Sequence, residues 1–192
     1  MALSFLLPGW LTPEASPEQL LNQYRDSGRS RYLQQLIGLF GDDLYYYLLR
    51  QTDSALAEDI SQLCWLKVIE QHRQFNGQSS FKTWLFSIAR HALLDELRRQ
   101  RRWQFDALQD ELVADVTDIT EREQQRYQAQ QFNAQLALLP FLQREALVLQ
   151  LQGFSLQDIS QITAQSTETI KSRLRYARQT LQAFMGEQHD QP

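Results

Sequence analysis

The sequence has little of what a cross-linked, turn-rich or membrane-embedded fold needs. One cysteine, Cys64, stands among 192 residues, so no disulfide framework can form within the chain. Seven glycines and five prolines are too few for the many tight turns of an all-β sandwich or barrel. No apolar run approaches the roughly 18 residues that a membrane-crossing helix requires. The opening Met1-Ala-Leu-Ser-Phe-Leu-Leu-Pro8 carries no basic residue ahead of its apolar stretch, which speaks against a secretory signal. The histidines His72, His91 and His189 lie apart, outside any HxxxH or CxxC setting, so neither a metal nor another cofactor is expected. No Gly-rich phosphate loop is present, and the paired acids Asp42-Asp43 and Glu58-Asp59 read as helix-end or surface charge. Without a catalytic constellation the chain is not expected to be an enzyme. The expectation is a reduced, cytoplasmic protein with no membrane insertion.

What is present is apolar mass and unevenly placed charge. Hydrophobic residues make up 43% and aromatics 11%, enough to build one ordinary core or two small ones. The net charge of −4 argues mildly against nucleic-acid binding, but it averages unlike segments. Residues 61–102 carry 8 basic and 3 acidic side chains, and residues 103–135 carry 2 and 7. A basic block is thus followed by an acidic one.

Helical periodicity runs through most of the chain. Ser16 and Pro17 followed by Gln19 form a helix start, and Gly28 marks a break. A second helix is expected from about Arg31 to Arg50, with Leu33, Leu36, Ile37, Phe40, Leu44, Tyr47 and Leu48 on one face and Gly41 as a candidate bend. A third is expected from Ala57 to Gln71 through Ile60, Leu63, Cys64 and Val68. A fourth runs from about Ser80 to Gln100 after a cap at Ser79, its apolar stripe formed by Phe81, Trp84, Leu85, Ile88, Ala89 and Ala92. Thr83, Ser87, Arg90, His91 and Arg98 fall elsewhere on its wheel. Residues 104–120 lose periodicity and read as a linker.

The last third has the clearest punctuation. A helix from Pro140 to Gln152 ends at Gly153, and Ser155 to Asp158 resembles a capping box opening a short helix through Ile162. After a turn over Thr163 to Ser166, a final helix runs to about Phe184. In it Ile170, Leu174, Ala177 and Leu181 make a buried stripe, while Glu168, Lys171, Ser172, Arg175 and Gln179 lie opposite, with Arg178 flanking. Short helix, turn and basic-fronted helix at this spacing fit a helix-turn-helix, whose second helix needs an apolar back and a front of cations and hydrogen-bonding side chains.

Two blocks then resemble a known family. Ala57-Glu-Asp-Ile-Ser-Gln62, Phe75-Asn-Gly, Phe81-Lys-Thr-Trp-Leu-Phe-Ser-Ile-Ala-Arg90 and Asp95-Glu-Leu-Arg-Arg99 are similar to conserved region 2 of the extracytoplasmic-function (ECF) sigma-70-type RNA polymerase sigma factors. Leu139-Pro140, Gly153-Phe-Ser-Leu-Gln-Asp-Ile-Ser160 and Glu168-Thr-Ile-Lys-Ser-Arg-Leu-Arg-Tyr-Ala-Arg178 are similar to region 4. The resemblance implies an all-α chain of two small domains. Residues 1–28 would be an N-terminal extension, 29–103 the region 2 domain, 104–123 an acidic linker, 124–186 the region 4 domain and 187–192 a tail. It implies binding to core RNA polymerase and promoter DNA, with an anti-sigma factor as a further candidate partner. Glu168, Lys171, Ser172, Arg175 and Arg178 would meet the −35 element. Asn76, Thr83, Ser87, Arg90, His91 and Arg98 would meet the −10 strand. Asp59, Gln62, Leu63 and Leu66 would grip the polymerase. The linker would thread toward the polymerase cleft.

Three positions depart from the family pattern. Leu63 stands where an acidic residue is common, and His91 where Asn is common. Glu168, where Gly is common, brings a negative charge to the DNA, able either to accept from a cytosine amino group or to repel phosphate. The alternative reading is a stand-alone helix-turn-helix regulator that binds operator DNA without polymerase.

Overall fold

A computed structural model of the chain describes residues 15–104 and 132–187, and every regular element among these residues is helical. The expected linker and the apolar start of the chain lie outside the described residues. Helix α1 (Pro17–Ser27) begins as its sequence dictates: Ser16 Oγ accepts the Gln19 N–H at 3.2 Å, and the Gln19 side chain accepts the Ser16 N–H at 2.9 Å. It ends at Gly28, whose φ of +65° suits a residue without a Cβ. Leu20 and Leu21 are buried, so this part of the expected extension packs as a helix of the first bundle, against α2.

Helix α2 (Ser30–Leu49) runs unbroken through Gly38 and Gly41 and buries Leu33, Leu36, Leu44, Tyr47 and Leu48. Ile37, expected in that stripe, is instead 38% exposed, because it stands one step round the wheel from Leu36. Helix α3 (Ser54–Gln71) starts three residues before the expected Ala57, since Asp53 already caps it by accepting the Leu56 N–H at 2.9 Å. Ala57, Ile60, Cys64, Trp65 and Val68 face the core, whereas Leu63 turns outward.

Helix α4 (Phe81–Gln104) is the centre of the molecule. Its cap is Ser80 rather than Ser79, for it is Ser80 Oγ that accepts the Thr83 N–H at 3.1 Å. Glu18 of α1 also reaches this helix start and accepts the Phe81 N–H at 2.9 Å. Burial pushes the Glu18 carboxyl up, but the hydrogen bonds it accepts outweigh that and hold it below its ordinary value. Phe81, Leu85, Ile88, Ala89 and Ala92 are buried in the first bundle. Tyr47, Phe81 and Phe86 have no exposed surface, and burying side chains of this size is worth about 1.5–3 kcal/mol each.

The second bundle contains α5 (described over residues 132–138), α6 (Phe141–Leu151), α7 (Leu156–Thr163) and α8 (Thr167–Glu187). Gly153, at φ +85°, lets the chain leave α6, and Ser155 with Asp158 forms the capping box of α7. Ala164 takes the left-handed conformation in the turn between α7 and α8, at φ +52°. Leu149, Ile159, Ile162, Ile170, Leu174 and Ala177 make this bundle's core. The two bundles meet where α7 packs on α4.

Candidate nucleic-acid interface

Helix α8 presents two chemically opposite sides. Its apolar back is seated on α6 and α7, with Ile170 and Ala177 fully buried and Leu174 nearly so. Lys171, Arg175 and Arg178 stand exposed on the outer side, and Ser172 is half-buried at its edge. Glu168 is exposed and accepts from the Lys171 ammonium at 2.7 Å. Arg178 donates to Gln150 Oε1 of α6 at 2.6 Å, which steadies its guanidinium. All five residues expected at the −35 element therefore lie on one helix, clear of the core.

The residues expected at the −10 strand divide into two groups. Thr83, Ser87, Arg90, His91 and Arg98 share one side of α4, within about 100° of each other at the helical repeat. Asn76, His91 and Arg98 are exposed. Asn76 accepts the Gln78 N–H at 3.1 Å and so shapes the loop that leads to α4, while Arg98 pairs with Asp95 at 3.1 Å. Phe75 closes that loop from inside, packed on Phe81 and on Trp84 with ring centres 6.4 Å and 5.4 Å away. Ser87, half-buried, donates to the backbone oxygen of Thr83 at 2.9 Å.

Thr83 and Arg90 are covered instead of open, at 1% and 9% exposure. Both point into the second bundle. Thr83 Oγ1 donates to Asp158 Oδ1 at 3.0 Å. Arg90 Nε donates to Glu145 Oε1 at 2.8 Å, and its Nη2 reaches Oε2 at 3.4 Å. Glu145 has no exposed surface, and its burial pushes the carboxyl above the ordinary range against the pull of Arg90. One turn away, Lys82 donates to Asp43 at 2.8 Å and to the backbone oxygen of Gln152 at 2.9 Å. Phe86 packs edge-on to Phe154 with ring centres 4.8 Å apart. Arg144 donates to Gln51 at 3.2 Å across the same seam.

The sequence reading missed Glu145, Asp158 and Asp43 as partners. The available signal was an acid, Glu145, at the head of the apolar run Ala146-Leu-Val-Leu149. A charge in such a place is buried only when paired.

The residues expected to grip the polymerase form an outer face of α3. Asp59 and Gln62 are exposed, as are Leu63 at 42% and Leu66 at 56%. Asp59 and Leu63, with Lys67 and with Asp95, Glu96 and Arg99 of α4, line a groove of about 370 Å³. Among the described residues no group of acidic, histidine or cysteine side chains could hold a metal, and no helix is long and apolar enough to cross a membrane.

Known proteins match both modules. The sigma-70 region 2 family model matches residues 36–103, and the sigma-70 region 4 model matches residues 129–181. The ECF RNA polymerase sigma factor SigC of Mycobacterium tuberculosis is 30% identical over 169 residues, covering 81% of this chain and 84% of that protein. SigX of Bacillus subtilis, also an ECF sigma factor, is 28% identical over 152 residues, covering 72% and 76%. The sigma factor RpoE of Bartonella quintana, solved in complex with the anti-sigma factor NepR, has a similar structure, with a TM-score of 0.70 at 27% identity over 82% of this chain and 98% of that one. A stand-alone operator-binding regulator would have no use for the region 2 bundle, and these relatives are polymerase factors. With the two modules present in this order, the chain belongs to the extracytoplasmic-function group of sigma-70-type RNA polymerase sigma factors.

Proposed function

We propose which surfaces carry the activity of a sigma factor in this chain: binding core RNA polymerase, directing it to promoters and starting DNA-templated transcription. Helix α8 enters the major groove of the −35 element. Lys171, Ser172 and Arg175 face base edges, Arg178 holds a phosphate, and Glu168 limits which bases Lys171 can meet by competing for its ammonium. The observation that carries this is the two-sidedness of α8, with its cations outward over Ile170, Leu174 and Ala177.

The Phe75–Phe81 loop and the outer side of α4 take the melted −10 strand, through Asn76, Thr83, Ser87, Arg90, His91 and Arg98. Donors fixed on a strand's phosphates, beside a pocket for an unpaired base, lower the cost of melting the duplex. The outer face of α3, with Asp59, Gln62, Leu63 and Leu66, docks on the polymerase; leucines this exposed are well suited to a partner surface. Its partners are core polymerase and promoter DNA, and so it works in the cytoplasm. An anti-sigma factor is a further partner, by analogy with the complex in which RpoE was solved. The polymerase supplies the bond-making chemistry, and this chain supplies none.

Run-off transcription with core polymerase on a randomised promoter library tests the assignment. Lys171→Ala and Arg175→Ala are each expected to lose about 1–3 kcal/mol of promoter discrimination while core binding is unchanged. Loss of core binding in these variants, or promoter use equal to wild type, would overturn it.

A further inference from the structure

The seam between the two bundles is polar where the region 2 surface is meant to be free. Arg90 and Thr83 are two of the donors assigned above to the −10 strand, and both are occupied by carboxylates of the other module. A guanidinium fork accepts a carboxylate in the geometry in which it accepts a phosphate. The −35 side of α8 and the polymerase side of α3 remain open in the same arrangement, since Lys171, Arg175, Leu63 and Leu66 are all exposed. The occlusion is therefore selective.

From this the geometry points to a self-latched form of the chain: Glu145 and Asp158 of the region 4 module stand in for promoter phosphates on Arg90 and Thr83 of the region 2 module, and the −10 strand enters only after the modules part. The inference rests on the reading of Arg90 and Thr83 as strand contacts. The latch is built to open. Parting the modules returns Arg90 and Glu145 to water, which recovers the desolvation cost that their burial imposes. It also exposes Phe86 and Phe154, which draws the modules back together when nothing else binds them. Such balance makes a two-state switch, whose open form is selected by whatever binds it better. Core polymerase, gripping α3 through its open face, is the ligand that fits. Closed protein favoured about tenfold lowers the apparent affinity for the strand by the same factor.

The test uses the full chain without polymerase. Its compactness is read by small-angle X-ray scattering, and its affinity for a fluorescein-labelled, mixed-sequence single-stranded DNA of about 20 nucleotides by anisotropy. Wild type is expected to be compact and to bind weakly. Glu145→Gln and Asp158→Asn, each made alone, are expected to expand the chain and to tighten binding about tenfold. Adding Arg90→Gln should abolish the gain, and Glu58→Gln, which removes the same charge from an exposed site, should match wild type. If circular dichroism shows that Glu145→Gln does not fold, Asp158→Asn carries the test, because Asn retains the capping oxygen. Run-off transcription by holoenzyme carrying Arg90→Gln separates the two ways to fail. Normal transcription there removes Arg90 from the strand site, and the latch loses its target. Impaired transcription, with latch variants that stay compact or bind no better than Glu58→Gln, overturns the latch alone.

Discussion

Cys64 has no exposed surface, and desolvation pushes its thiol up to about 12 despite the nearby positive charge of Lys67. Only the thiolate reacts with an alkylating agent. Iodoacetamide at about pH 8, near the ordinary thiol value, should therefore leave the native chain unlabelled and label it fully once urea has unfolded it; mass spectrometry reads the difference. Leu36, likewise fully buried, should cost about 2–5 kcal/mol when changed to Ala, measured as a lower urea midpoint at unchanged slope. Both residues were legible as core from their spacing alone. Arg90 was legible only by halves. Periodicity set it on the side of α4 away from Phe81 and Leu85, which is where it stands. It could not reveal that Glu145, 55 positions later, would cover it. A helical wheel orders residues on one element and carries no information about what approaches that element from outside.

At the scale of elements, the caps were the most readable feature, because a cap is a local bargain between one side chain and one orphan N–H. Ser16, Ser155 and Gly153 stand where the sequence placed them, whereas the starts of α3 and α4 moved to Asp53 and Ser80 among several adjacent residues able to cap. Asp158 does more than cap. Burial alone would raise its carboxyl, but hydrogen bonds from Ser155 and Thr83 outweigh it and bring the group below its ordinary value of 3.8. A carboxylate lowered by folding adds stability that is complete above that ordinary value and is lost as the pH falls through the folded one. Asp158→Asn should thus be about 1 kcal/mol less stable than wild type at neutral pH. That gap should close toward about pH 3 and below, as urea titrations across the range would record.

At the scale of the whole molecule, the net charge of −4 opposes the approach of DNA, and only a small outward set of cations on α8 offsets it. The free chain should bind duplex DNA weakly and lose that binding between about 50 and 200 mM salt. Arg178→Ala should lower the slope of log K against log salt by about 1, measured by anisotropy. Binding that resists salt would count against the phosphate assignment. The division into two helical modules could be read from the charge blocks and the two families of motifs, but their mutual docking could not, since it depends on single contacts between distant segments. One such contact has a practical side. Glu18 holds the first N–H of α4 from a helix that precedes residue 36, where the region 2 match begins. A fragment trimmed to the matched boundaries would start its promoter-opening helix with a frayed first turn, and a defect found in that fragment would be the loss of an anchor, mistaken for the loss of a contact with DNA.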